Sequence, residues 1–172
     1  MKKNYNTDFN IKNVGEEVEL YGWVAKKRNL GGLVFIDLRD RSGIIQLVVR
    51  PETKDYEVAS SLKSESVIHI VGKIVERESK NKNIPTGEIE VEVETLLLIN
   101  QSCDLPFEIS EDTTALEDTR LKYRYLDLRR QKVREKIIIR SNIMHSIRNF
   151  FYDEGFIEVE TPILCKSTPE GA

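Results

Sequence analysis

Cysteine and histidine are scarce in this 172-residue chain, with two of each. Cys103 and Cys165 lie far apart and form no Cys-x-x-Cys pair, so neither a disulfide framework nor a metal site follows. No stretch approaches the ~20 consecutive apolar residues of a membrane span. The lysines that follow Met1 lead into no apolar run, so the start does not read as a signal peptide. A Gly-rich phosphate loop, a His/Cys cluster, a nucleophile–base pair and an internal repeat are all missing. The expected setting is reducing and cytoplasmic. A net charge of −3 and a pI near 5.6 give, at the level of the whole chain, no sign of a polyanionic partner.

The charge is unevenly spread, however. Lys26, Lys27, Arg28, Arg39 and Arg41 crowd one region, and Arg120 to Arg140 holds a second basic cluster. Acidic stretches at Glu88–Glu94 and Asp104–Asp118 lie between them. Taken alone, such runs read as solvated faces. Local basic patches still act on polyanions, because salt screens fields only beyond about 8–10 Å.

The front half has the period of β-structure. A first strand starts at Glu17 and ends near Arg28, with Gly22 read as a bulge or barrel corner. Asn29 to Gly32 forms a turn. Leu33–Asp40 is a second strand with Val34, Ile36 and Leu38 inward, and Ile44–Arg50 a third with Ile45, Leu47 and Val49 inward. Asp55–Lys63 is a short helix with an apolar side of Tyr56, Val58, Ala59 and Leu62. Ser66–Glu76 is a fourth strand, apolar on both sides, which makes His69 a core histidine. Glu88–Ile99 is a fifth, alternating glutamate with Ile89, Val91 and Val93. Five short strands with a helix between the third and fourth give the order of an OB-fold barrel, with the helix plugging one open end. After a polar, acidic stretch over 100–119 the period changes to helical. Lys132–Glu154 is a helix capped by Gly155, with an apolar stripe from Val133 to Phe151 too wide to be left uncovered. His145 sits within it and has no partner signal. Phe156–Pro162 reads as a strand, and nothing follows to cover Ile157, Val159, Ile163 and Leu164. The sequence therefore reads as one whole module plus the first slice of a second.

Binding residues should lie on the outward side of the first three strands. Phe35, between Val34 and Ile36, and Gln46, between Ile45 and Leu47, alternate outward, and Arg28 ends the first strand beside the turn. An exposed ring, an amide and a guanidinium suit unpaired nucleotides: the ring stacks on a base, the amide reads a base edge and the cation meets phosphate or base. Glu90 also alternates outward and could accept from a base amino group, although spacing alone favours a solvated, edge-protecting glutamate.

Four segments resemble a known family: Gly22–Val49 (GWVAKKRNLGGLVFIDLRDRSGIIQLVV), Thr86–Val91 (TGEIEV), Arg120–Arg130 (RLKYRYLDLRR) and the closing FIEVETPILCKSTPEGA. In this order and spacing they are similar to the N-terminal part of bacterial aspartyl-tRNA synthetases, which are class II enzymes. The asparaginyl and lysyl enzymes share the barrel and the Arg-Tyr-Leu-Asp-Leu segment, but the Thr-Pro-Glu-Gly-Ala ending fits the aspartyl enzyme best.

The resemblance implies an all-β OB-fold anticodon-binding domain over 1–105, a linker or hinge over 106–131, and the α/β start of a class II catalytic domain over 132–172. It implies anticodon contacts at Arg28, Phe35, Gln46, Asn81 and Glu90, and charging of tRNA-Asp alone from Leu30 and Lys80. It also implies an L-aspartate contact at Glu170 and a homodimer boundary at Pro162. The full enzyme would use ATP and Mg²⁺ to make aspartyl-adenylate and pass the acyl group to tRNA-Asp. The segments that bind ATP are absent here, so this chain by itself is expected to be inactive, with no catalytic or metal residue of its own. A free-standing OB module for single-stranded nucleic acid, and an asparaginyl or lysyl synthetase fragment, are the competing readings. A purely structural dimerisation piece would leave the barrel surplus.

Overall fold

The computed structural model describes residues 4–164 and 166. The chain divides into two compact units, Met1–Leu105 and Pro106–Ala172.

The first unit is a closed five-stranded barrel with strand order β1-β2-β3-β5-β4, built from β1 (Glu17–Leu30), β2 (Leu33–Arg39), β3 (Ile44–Val49), β4 (Val67–Glu76) and β5 (Ile89–Asn100). β3 and β5 pair in parallel, and every other pairing is antiparallel. The inward residues expected from alternation, Val34, Ile36, Leu38, Ile45, Leu47 and Val49, are fully buried. The β1–β2 hairpin closes on Gly31 and Gly32, with φ of +59° and +85°, so both central turn residues are left-handed. That two-residue geometry matches the twist of the flanking strands, and only glycine reaches it without strain.

Gly22 has a different role from the one expected. The irregularity in β1 falls between Val24 and Lys26, at Ala25. A Cβ on Gly22 would instead lie 2.6 Å from the carbonyl oxygen of Arg39, so this glycine permits a close approach of two backbones.

The short helix α1 (Tyr56–Ser61) lies between β3 and β4, as expected. Ala59 and Leu62 join the barrel core and Tyr56 packs against it, while Val58 stays exposed. An N-terminal segment that the sequence pattern does not reveal also enters the core. Two 3-10 turns, Asn6–Asp8 and Ile11–Asn13, place Phe9 there and bury Asn6, whose Nδ2 donates to the carbonyls of Leu38 and Gly43. His69 is not a core residue. It lies on the outer side of β4, stacked on Tyr21 at 4.3 Å between ring centroids, with Nε2 2.9 Å from Glu19 Oε1. β4 thus alternates instead of being buried on both sides.

In the second unit, the stretch before the long helix holds two short helices, α2 (Glu117–Lys122) and α3 (Arg124–Asp127). The buried Asp127 carboxylate accepts from Arg124 and Arg130, and Arg130 also donates to the Glu111 carbonyl. These bonds tie the polar stretch to the start of α4 (Gln131–Asp153). Gly155, at φ +85°, ends α4. The Phe156 N–H donates to Phe151 O, the Gly155 N–H to Tyr152 O, and the rings of Phe151 and Phe156 meet edge to face, which together form a Schellman cap. The wide apolar stripe of α4, including Ile137, Ile143, Ile147 and Phe150, is exposed. The strand expected over Phe156–Pro162 is not formed: a strand needs a neighbour to bond its backbone, and none of the described residues supplies one.

Candidate nucleic-acid interface

The outer face of β1, β2, β3 and β5 carries two rows of side chains in cross-strand register. Lys26, Asp37, Gln46 and Glu90 form one, and Arg28, Phe35, Val48 and Glu92 the other. The irregularity at Ala25 builds these rows. Before it, the even-numbered residues Leu20 and Val24 point inward. After it, Lys26 and Arg28 stand opposite the outward residues Asp37 and Phe35. Unbroken alternation would have driven the Arg28 guanidinium into the barrel. Lys27 consequently points toward the end of the barrel, where its ammonium donates to the carbonyl of Ser60 in the last turn of α1, and burial lowers its pKa.

Gln46 is the hub of the face. It points outward, as alternation predicts, but it is covered, with 5% of its surface exposed. Its Oε1 accepts from Arg77 Nη2 at 2.8 Å and from Arg28 Nη2 at 3.3 Å, and its Nε2 donates to Glu90 Oε2 at 2.8 Å. Arg28 also donates to Asp37 at 3.0 Å, and Arg77 Nε lies 3.9 Å from Glu90 Oε2. Burial raises the pKa of Glu90, and the Gln46 amide and the Arg77 charge offset part of that rise. Half-buried Phe35 shares a shallow concavity of about 200 Å³ with Gln46, Val48, Arg77 and Glu90.

Of the five residues expected to contact an anticodon, four gather here: Arg28, Phe35, Gln46 and Glu90. Asn81 is placed apart from their hydrogen-bond network. It lies in the loop after β4, where its Oδ1 accepts from the Asn83 N–H and its own N–H donates to Gly87 O. Lys80, in the same loop, pairs with Glu76 at 2.7 Å and Glu88 at 3.8 Å, and Leu30 is exposed at the end of β1. Pro162 is exposed, and Glu170 and Cys165 lie outside the described residues.

Sequence reasoning missed Asp37 and Arg77. Asp37 was recoverable, since it alternates outward between Ile36 and Leu38. Arg77 follows the end of β4, and only the β4–β5 register brings it over Gln46.

Comparison with known proteins gives this face a context. Residues 18–99 match the model described as OB-fold nucleic acid binding domain, and residues 116–172 match tRNA synthetases class II (D, K and N). An aspartate–tRNA ligase from Streptococcus suis is 54% identical over 164 residues, covering 94% of this chain and 28% of the relative. One from Lactobacillus johnsonii is 51% identical over 173 residues, covering 99% and 28%. Over nearly its whole length the chain is homologous to aspartate–tRNA ligases.

It spans about 28% of the length of these relatives. Among solved structures, the asparaginyl-tRNA synthetase from Pyrococcus horikoshii complexed with asparaginyl-adenylate superposes with a TM-score of 0.81 at 28% identity, over 95% of this chain and 37% of the other. The aspartyl tRNA synthetase from Entamoeba histolytica has the same fold, with a TM-score of 0.86 at 21% identity, over 98% of this chain and 41% of the other. No described helix is long and apolar enough to cross a membrane. No group of three or more His, Cys, Asp or Glu among the described residues could hold a metal ion.

Proposed function

We propose that the barrel binds the unpaired anticodon nucleotides of tRNA-Asp, as the anticodon-reading part of an aspartate–tRNA ligase. The observation that carries this reading is a ring, an amide, a carboxylate and a guanidinium (Phe35, Gln46, Glu90 and Arg77) in one concavity, with the Arg28 guanidinium joined to the amide beside them by the same hydrogen-bond network. Phe35 supplies the stacking surface. Gln46 and Glu90 face base edges with a donor and an acceptor, and Arg28 and Arg77 supply positive charge to a protein whose net charge is negative. The names of the relatives support the substrate.

Asn81, Leu30 and Lys80 flank the face and are proposed to bear on which anticodon is accepted. Glu170 is proposed as an L-aspartate contact. The exposed apolar surface around α4 and Pro162 is proposed to be covered in a homodimer of the full-length enzyme. ATP and Mg²⁺ are proposed to serve the full-length enzyme, as they do the class II synthetase family in general. The proposed setting is the cytoplasm.

The test is titration of the 172-residue chain with a tRNA-Asp anticodon stem-loop. Phe35→Ala should weaken binding about 5- to 150-fold, the equivalent of the ~1–3 kcal/mol that one base–aromatic stack contributes. Gln46→Ala should weaken it too, with selectivity among anticodons lost. If both variants titrate like the parent, the face is misassigned. Equal affinity for any single strand of the same length would favour an indiscriminate single-strand module.

A further inference from the structure

We propose that Arg77 is a positioning residue of this site: it fixes which end of the Gln46 amide faces the nucleotide, and thereby which base edge the site accepts. This rests on the nucleotide-binding reading above.

The argument is a count of donors and acceptors. A glutamine side chain has two lone pairs on its oxygen and two N–H groups on its nitrogen. Two guanidinium donors occupy the oxygen of Gln46 and one carboxylate occupies its nitrogen. The reversed amide would set NH₂ against two cationic donors and oxygen against a carboxylate, so every one of these contacts would become repulsive. Chemistry therefore assigns the orientation. What remains is one N–H of Gln46 beside the unfilled lone pairs of the Glu90 carboxylate, a donor next to an acceptor, with both residues lining the concavity that holds Phe35.

The two arginines do not hold the amide equally. Arg28 makes the longer bond at 3.3 Å, shares the same Nη2 with Asp37, and has a side chain 40% exposed. Arg77 makes the shorter bond at 2.8 Å, has a side chain 11% exposed, and reaches toward Glu90 with its Nε. Its backbone is also pinned, since the Arg77 N–H donates to Glu88 O at 2.9 Å across the β4–β5 hairpin. A buried guanidinium on an anchored backbone orients a partner better than a half-exposed one shared between two acceptors. Without Arg77 the amide is held only by the longer Arg28 bond and by Glu90, and turns more readily. The site can then offer oxygen or nitrogen, and discrimination falls while stacking on Phe35 persists.

The test uses the 172-residue chain with Arg77→Met, which keeps the apolar stem, and Arg77→Lys, which restores one cationic donor. In the absence of RNA, hydrogen exchange of the Gln46 side-chain NH₂, read by ¹⁵N NMR, should speed up at least tenfold in the Met variant and be partly restored in the Lys variant. With RNA, the affinity ratio between the tRNA-Asp anticodon stem-loop and stem-loops carrying single anticodon substitutions should fall at least tenfold in the Met variant and recover in part in the Lys variant. Unchanged Gln46 exchange would overturn the proposal. So would a uniform loss of affinity across all stem-loops with a shallower salt dependence, the mark of a phosphate contact. If the parent chain binds no stem-loop, the nucleotide-binding reading fails, and the RNA-free exchange measurement still decides the role of Arg77.

Discussion

A carboxylate desolvated before its ligand arrives holds its proton more tightly than one in water, and Glu90 is in that position. Its folded-state pKa is raised by burial, so between the ordinary carboxylate range and the raised value the native state binds the proton in preference to the unfolded state. Stability contributed there falls as pH climbs through that window. RNA binding runs the opposite way, because an ionised carboxylate accepts a base N–H more strongly than its protonated form does. Stem-loop affinity should therefore weaken on acidification at a pH above the ordinary carboxylate range, and Glu90→Gln should abolish that dependence. An unaltered acid limb in the Gln variant, read by titration at a series of pH values, would exclude Glu90 as the group responsible. The sequence reveals this residue and its neighbours unevenly. Phe35 and Gln46 could be placed because each sits between two core residues of its own strand. Arg28 could not be oriented by period alone, since one irregular residue, Ala25, reverses the alternation ahead of it. Gln46 looked exposed because its cover comes from Arg77, 31 positions away.

Strands meet closely where glycine replaces a side chain, and the barrel has two such places. A Cβ on Gly72 would press against the carbonyl oxygen of Glu92 and lie 2.9 Å from Val91 Cγ1, and backbone atoms in a ladder cannot move aside. Gly72→Ala should destabilise the protein by about 1–3 kcal/mol, as overpacking does, lowering the urea midpoint with an unchanged slope. Gly31→Ala has open space around its Cβ and should cost only the strain of a left-handed φ, about 1–2 kcal/mol. Equal, negligible effects would show that neither strand spacing nor turn geometry is under constraint. At this scale the sequence was most legible where an element settles its own hydrogen bonds or pairs with the strand next to it in the chain. α4 and its Gly155 cap fall within one residue of expectation, and so do the β2 and β3 boundaries. It was least legible where an element depends on another segment. Phe156–Pro162 has β-like residues and no strand beside it. The N-terminal turns enter the core through one asparagine and one phenylalanine, too few residues to show a period.

The two units differ in how they handle apolar surface. The barrel encloses a contiguous core running from Phe9 to Leu96, whereas α4 presents its stripe to solvent. Within the barrel the ladders are unequal. β4 and β5 are joined over ten residue pairs, but β3 and β5 close the cylinder over only three: Gln46 with Glu90, Leu47 with Val91, and Val48 with Glu92. The Gln46–Glu90 bond thus lies across the shortest join. A strand of RNA laid from Phe35 to Glu90 would act as a suture over that join, and ligand that binds only the closed form favours it by mass action. Backbone amides of residues 46–48 and 90–92 should then exchange more slowly with RNA bound, and more so than those deep in the β4–β5 ladder. Uniform slowing along every strand would contradict this. Reading nucleotides and fastening the cylinder would be one event.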